Sequence, residues 1–278
     1  MSDSNLTIAI VGATGAVGTI ALELLADRAY PAERIILMAS SRSIGKKLPY
    51  LDTELNVIEA VPDAFEGVDV AFISVSAEVS RALAPEAVKR GALVIDDGSA
   101  FRMDPSVPLV VPEVNGADLE WHKGIVSIPN CTTTPLAMSL AALGQSAEVT
   151  RVTVATYQAV SGTGAAAVRE LHEQTADVLA GRSTNPKEYP HQIAFNVLPQ
   201  VDDFAKDGYT GEEHKMINET RKILHDADIA ISPTCVRVPV PVTHSEAVQV
   251  EFKRPMSPEE ATRLLSEFPG ITVVDEPQ

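Results

Sequence analysis

Cys131 stands in the segment Ile128-Pro129-Asn130-Cys131-Thr132-Thr133-Thr134-Pro135, just ahead of an apolar run that reads as a helix. A thiol so placed can serve as a nucleophile. Thr134 suits the N-cap, and Pro135 suits the first helical position, where proline has no amide hydrogen to lose. Leu136 to Leu143 continue the helix, and Gly144 can end it. Unpaired backbone amides and the positive end of the helix dipole would favour thiolate over thiol and offer donors to an oxyanion. A buried cysteine that merely packs is the other reading, and the local segment leaves both open.

A second chemical signature lies near the N-terminus. In Gly12-Ala13-Thr14-Gly15-Ala16-Val17-Gly18 the glycines sit three apart, directly after the apolar run Leu6–Val11. A helical pattern of Val17, Ile20, Ala21, Leu24 and Leu25 begins within the turn. Strand, glycine turn and helix in that order let backbone amides approach a pyrophosphate at a helix N-terminus, which predicts nucleotide binding. The next strand, Arg34–Ala39, runs into Ser40-Ser41-Arg42-Ser43. An NAD site would present a carboxylate there to the ribose hydroxyls. Hydroxyls and a guanidinium match a 2′-phosphate instead, so the expected cofactor is NADP.

Three further groups could bind anions or move protons. Arg102 follows the carboxyl end of a strand, where doubly wound sheets place their ligands. Glu212 and Lys215 share one face of a helix, one turn apart, and read either as opposite charges for one small zwitterion or as a solvated ion pair. Arg237 and His244 differ by seven residues, so an unbroken strand would point them to opposite faces. They converge only if the chain turns, and Pro239 and Pro241 supply a physical reason for the break.

The elements that must position these residues change character along the chain. Strands at Val68–Val75 and Ala92–Asp96 flank a helix from Glu78 to Arg90, and with the first two strands they imply a parallel, doubly wound sheet. Beyond Cys131, Arg151–Val160 alternates like a strand with one wet face. The turn Ser161-Gly162-Thr163-Gly164 and a helix from Ala165 to Ala180 follow. Residues 181–207 read as loop with short elements. Glu212–Leu224 is an amphipathic helix, Ala247–Phe252 a further strand, and Ser257 caps a last helix through about Glu267.

The chain has 278 residues, of which 45% are hydrophobic, enough for one large or two ordinary domains. A net charge of −16 argues against nucleic acid and anionic membranes as partners. Two cysteines, Cys131 and Cys235, form no disulfide framework and fit a reducing compartment. Met1–Asn5 lacks a signal-peptide pattern and no apolar segment is long enough to span a bilayer, so the expected location is the cytoplasm. No histidine pair has metal-ligand helical spacing and the cysteines are too far apart for a zinc knuckle, so no metal is expected.

Several separated motifs, in this order, resemble the aspartate-β-semialdehyde dehydrogenase family. They are the Gly12–Gly18 turn, Ser99-Ala100-Phe101-Arg102, Pro129-Asn130-Cys131-Thr132-Thr133, Tyr157-Gln158-Ala159-Val160-Ser161-Gly162, Glu212–Lys222 and Arg237–His244. The resemblance implies NADP-dependent, reversible reductive dephosphorylation of L-aspartyl 4-phosphate to the semialdehyde, in biosynthesis of lysine, threonine, methionine and isoleucine. It implies Cys131 as nucleophile, His244 as acid and base, and Gln158 positioning the acyl group. Arg237 is implied to bind the α-carboxylate and Glu212 the amino group, with Arg102, Lys215 and Asn130 around the phosphate. Gly12, Thr14, Gly15, Ala16, Val17, Gly18, Arg42, Ser43, Ser161 and Gly162 are the implied cofactor contacts. The expected fold is α/β, with an N-terminal Rossmann-like doubly wound parallel sheet in residues 1–130. An α+β catalytic and dimerisation domain with a mixed sheet is expected in residues 131–278, in a homodimer. The resemblance also leads one to expect a further C-terminal segment returning to the cofactor domain, for which residues up to 278 hold no equivalent. Rival readings are another acyl-phosphate reductase, such as N-acetyl-γ-glutamyl-phosphate reductase, and a non-catalytic NADP-binding protein. The Glu212, Lys215 and Arg237 set favours a substrate with free amino and carboxylate groups.

Overall fold

Because β1 (Leu6–Val11) is apolar at nearly every position, it can be covered on both faces, and its last four residues are buried. The computed structural model in which this is seen describes residues 6–274; Met1–Asn5, where the absence of a signal pattern was read, lie outside the described residues. Around β1 the chain sets out α1 (Ala16–Asp27), β2 (Ala32–Ala39), β3 (Lys47–Tyr50), β4 (Thr53–Glu59), β5 (Val70–Ile73), α2 (Ala77–Lys89), β6 (Leu93–Asp96), α3 (Pro112–Asn115) and β7 (Ile125–Ser127). These seven strands form one sheet in the order β3-β4-β2-β1-β5-β6-β7. All pairings are parallel except the β3–β4 hairpin. Strand order reverses at β1, so the glycine turn lies at the point where open α/β sheets take their ligands.

The hairpin and β7 carry little sequence signal. β4 buries only Val57 and β7 has three residues, so neither shows the long apolar run that marks β1. In α1, Gly18 and Leu22 are buried, whereas Val17, Ile20 and Leu24 line an open apolar groove of about 390 Å³ with Ile8, Ile10, Tyr30, Val70, Phe72 and Ile95.

The rest of the chain adds α4 (Thr133–Gly144), β8 (Val149–Gln158), α5 (Ala165–Leu179), α6 (Gly211–Ile223), β9 (Ala230–Arg237), β10 (Ser245–Phe252) and α7 (Pro258–Glu267). β8 is central in a mixed sheet ordered β10-β8-β9, antiparallel to β10 and parallel to β9. Leu136 and Leu140 of α4 and Met216 and Ile223 of α6 pack with Val152, Val154, Ile231 and Cys235 of the sheet. A separate cluster joins Ala167 and Leu171 of α5 to Val160, Ile193, Ala194 and Leu198.

The chain divides into two compact units. One runs to Val110 and resumes for Ala117–Pro129, and the other holds Val111–Gly116 and the chain from Asn130 on. Two local expectations need correction. α4 starts at Thr133, with Thr132 in the cap position, so Thr134 and Pro135 lie inside the first turn; the Thr134 amide already donates to Asn130 O at 3.2 Å. β8 ends at Gln158, because Ala159 and Val160 turn away into the segment Val160–Thr163. The chain between Arg237 and Ser245 does leave the sheet, through Pro239 and Pro241.

Candidate active site

Strand register brings the site residues of the second unit to one end of its sheet. Gln158 pairs with Arg237 across β8 and β9, and Tyr157 pairs with Ser245 across β8 and β10. His244, one residue before β10, is thereby delivered beside Ala159, whose N–H donates to its Nδ1 at 3.0 Å. With Nδ1 accepting, the neutral ring carries its proton on Nε2, and Nε2 lies 3.2 Å from Cys131 Sγ. Burial, followed by the nearby Arg237 charge, moves the His244 pKa below its usual value.

Of the two thiols, Cys131 is exposed and Cys235 is buried. Burial pushes the Cys235 thiol up to about 12, which leaves it protonated and inert. At the start of α4 the amides are partly committed. The Thr132 N–H and hydroxyl both donate to Asn130 Oδ1, at 3.0 and 2.6 Å, and the Thr134 N–H goes to Asn130 O. The expectation of a row of unpaired amides beside Cys131 is therefore met only in part.

α6 supplies the charged wall. Thr210 and Glu213 close a capping box, which sets the first turn and directs Glu212 inward. The other Glu213 oxygen accepts the Cys235 N–H at 3.0 Å and ties this turn to β9. Glu212 is 5% exposed and accepts from Gln158 Nε2 at 2.8 Å, Lys215 Nζ at 3.1 Å and Asn130 Nδ2 at 3.2 Å. A carboxylate has about four acceptor directions, so roughly one remains. Lys215 also meets Asp202 at 2.9 Å. Burial pulls the Lys215 pKa down, but Glu212 and Asp202 outweigh it, and the net shift is upward. Glu212 and Lys215 thus form an ion pair, one partner of which is buried.

Arg237 is 6% exposed; its Nη1 donates to Ala159 O at 2.7 Å, while its buried Nε has no hydrogen-bond partner. A buried donor without an acceptor calls for a reason, and the Nε edge of a guanidinium can meet a carboxylate in bidentate fashion. Gly162 explains itself by close approach: a Cβ there would lie 3.1 Å from Arg237 Nη1 and 3.4 Å from His244 Cε1 and Nε2. Cys131, Asn130, Gln158, Glu212, Lys215, Arg237, His244 and Gly162 are therefore joined by short contacts. Ser161 sits in the same turn, its N–H on Pro241 O at 3.1 Å.

Sequence reasoning missed Glu219. Its carboxylate, buried to 1% exposure, accepts the Asn130 N–H at 2.7 Å and holds the residue that precedes the nucleophile. The spacing was available, since Glu219 lies seven residues after Glu212 and so on the same helix face; its partner was not. Glu246 was missed as well. Burial raises its carboxyl to about 7, and its Oε1 has no hydrogen-bond partner.

The other unit holds the remaining candidates. Gly12 has φ +89° and no room for a Cβ against Ser74 O, and Gly18 is packed against the Gly12 backbone. Gly15 begins α1 with no side-chain cap, no acidic residue stands in the first turn, and Ala16 and Val17 are exposed. These residues fit an anionic pyrophosphate. Thr14 Oγ1 and Ser43 Oγ are 3.3 Å apart, which ties the Ser41–Ser43 turn, with exposed Arg42, to the glycine turn. Arg102 donates to Asp97 O at 2.8 Å. Among the described residues no cluster of histidine, cysteine and carboxylate could hold a metal, and no helix is long and apolar enough to cross a membrane.

Residues 7–122 match the family model for the semialdehyde dehydrogenase NAD-binding domain, and residues 140–278 that for the semialdehyde dehydrogenase dimerisation domain. An aspartate-semialdehyde dehydrogenase from Bacillus subtilis is 49% identical over 280 residues, covering 98% of this chain and 81% of the relative. The crystal structure of aspartate semialdehyde dehydrogenase II from Vibrio cholerae, complexed with ASA, has a TM-score of 0.95 at 40% identity, covering 97% and 81%. The crystal structure of an aspartate semialdehyde dehydrogenase with NADP from Candida albicans has a TM-score of 0.72 at 26% identity, covering 95% and 77%.

Proposed function

The chain belongs to the aspartate-semialdehyde dehydrogenase family, and from that premise we propose that it reduces L-aspartyl 4-phosphate to the semialdehyde, reversibly, with NADP as its cofactor. The observation that carries the reading is the 3.2 Å contact between Cys131 Sγ and His244 Nε2, beside the partnerless Nε of Arg237.

Arg237 receives the substrate α-carboxylate on its free edge, and Glu212 turns its remaining acceptor direction to the amino group. Lys215, Asn130 and Arg102 are the proposed phosphate ligands. The Cys131 thiolate attacks the acyl carbon, the carbon–oxygen bond to phosphate breaks, and a thioester forms. Gln158, locked between Glu212 and the Thr156 hydroxyl, orients the acyl group. A nicotinamide cofactor, when bound, would supply the hydride that reduces the thioester carbon. Hydride addition leaves an oxyanion on that carbon; as its C=O bond re-forms to give the aldehyde, the C–S bond breaks and the sulfur leaves as thiolate. His244 handles protons at Nε2, because Nδ1 is occupied by the Ala159 N–H, and the Nε2–H stabilises the sulfur anion.

For the cofactor, Gly12, Thr14, Gly15, Ala16, Val17 and Gly18 would hold the pyrophosphate, Arg42 and Ser43 a 2′-phosphate, and Ser161 and Gly162 the remainder. Basic and hydroxyl groups at the end of β2, with no carboxylate, support NADP over NAD. A homodimer through the second unit is proposed from the dimerisation-domain match and from exposed apolar residues there, including Phe195, Val240 and Val242. Amino-acid biosynthesis in the cytoplasm, with no nucleic-acid or membrane partner, completes the proposal.

The test is phosphate-dependent reduction of NADP with aspartate semialdehyde and with N-acetylglutamate semialdehyde. Activity with the first, lost in Cys131→Ala, together with an acyl adduct on Cys131 by mass spectrometry, is the expected result. Preference for the N-acetylated substrate overturns it.

A further inference from the structure

α5 buries two polar side chains one turn apart, Glu170 at 6% exposure and Gln174 at 2%. Both face a strap of chain, residues 182–198, that forms no regular strand or helix and whose amides need acceptors. Glu170 Oε2 accepts the Lys187 and Glu188 N–H groups, each at 2.8 Å. Gln174 Oε1 accepts those of Ile193 and Ala194, at 2.9 and 3.3 Å. The two side chains are joined by Gln174 Nε2 donating to Glu170 Oε1 at 3.0 Å. Four bonds thus anchor the strap to one helix face, and the fifth couples the two anchoring side chains.

The strap is bonded to Arg237 itself and to the turn that holds Ser161 and Gly162. Leu198 exchanges two backbone hydrogen bonds with Arg237, at 2.9 and 2.8 Å. The Tyr189 hydroxyl donates to Thr163 Oγ1 at 2.9 Å, in the turn that holds Ser161 and Gly162. Ile193, Ala194 and Leu198 share a core cluster with Val160, the first residue of that turn.

We propose that Glu170 and Gln174 are positioning residues for the substrate carboxylate, acting through the strap that fixes Arg237 and the Val160–Thr163 turn. This rests on the reading of Arg237 given above. The chemistry at each position is specific. Glu170 faces three donors, so it must be a carboxylate, and Gln174 must donate with one arm and accept with the other. Glu170→Gln sets one amide against another or against the strap N–H groups, and Gln174→Glu sets two carboxylates together. The double swap Glu170→Gln/Gln174→Glu restores all five bonds with the charge moved by one turn.

The three variants are compared with the unaltered chain for KM and kcat with aspartate semialdehyde, and for the rate of Cys131 alkylation by iodoacetate. Each single variant is expected to raise KM for the semialdehyde about tenfold, the scale set by a buried donor left unsatisfied, with kcat and alkylation within about twofold. The double swap is expected to return KM to within about twofold of the original. Single variants that fold with unchanged KM, or a double swap that fails to fold or keeps a raised KM, overturn the proposal. If the single variants do not fold, the double swap decides by the same criterion. Absence of semialdehyde activity in the unaltered chain would instead count against the proposed function.

Discussion

Replacing Gly162 by alanine puts one methyl group between the two residues on which the proposed chemistry depends. The new carbon would meet Arg237 Nη1 at 3.1 Å and the His244 ring at 3.4 Å. The 3.1 Å contact pushes the Arg237 guanidinium back by a few tenths of an ångström, while the His244 ring is met at ordinary van der Waals distance. Gly162 is not among the positive-φ residues, so the backbone itself accepts a side chain. If misplacement by about 1 Å costs on the order of a hundredfold in rate, a shift of about 0.3 Å costs about fourfold in kcat/KM. Gly162→Val, which forces a larger retreat, is expected to lose more than about a hundredfold. The assay is initial-rate NADP reduction with semialdehyde and phosphate, paired with thermal melts. Both variants are expected to melt within about 3 °C of the parent, since the turn is not strained. Gly164 is the control: its φ is +109° with nothing within 4 Å, so Gly164→Ala is expected to lose about 1–3 kcal/mol of stability while leaving KM unchanged. Full activity in Gly162→Val would refute the assignment of this turn to the site.

His244, with its pKa lowered by burial and by Arg237, keeps a neutral ring below pH 6.5, so the acid limb of kcat/KM is expected below that value; a limb above it contradicts the geometry. The same shift contributes stability above the unfolded pKa of the ring that is lost as pH falls below it, which melts of His244→Asn against the parent at pH 5 and pH 8 can separate. For Glu246, raised to about 7 from 4.5, the sign is opposite: stability is full below pH 4.5 and lost as pH rises through about 7. Glu246→Gln is therefore expected to stabilise by about 2 kcal/mol at pH 8 and hardly at all at pH 4, and equal effects at both pH values would exclude a buried carboxylate. Arg42→Ala is expected to weaken NADP binding by about 1–2 kcal/mol and NAD binding little, measured by fluorescence titration; equal losses would remove Arg42 from the 2′-phosphate site.

Much of the fold was legible because local signals agreed with one another. The apolar run of β1, the glycine turn and the start of α1 are contiguous, and so are the Ser257 cap and α7, where the hydroxyl accepts the Glu260 N–H as expected. The β3–β4 hairpin and β7 were not legible, because short or half-exposed strands bury too few side chains to set a pattern. The start of α4 was misplaced by a turn's fraction because three consecutive threonines precede Pro135 and each is a reasonable cap.

The sequence by itself determined which residue types were present for the chemistry: a thiol before a helix, an imidazole after a proline-broken strand, a guanidinium and an acid–base pair at helical spacing. Parity along a strand even showed that Arg237 and His244 could meet only across a turn. Only the tertiary structure decided who meets whom. Register between β8, β9 and β10 set Ala159 against the His244 ring and Gln158 beside Arg237, and the seating of α6 gave Glu219 to the Asn130 amide. Hydrogen bonds between residues tens of positions apart depend on how elements pack, and a linear pattern specifies each element's face but not the partner that face will find.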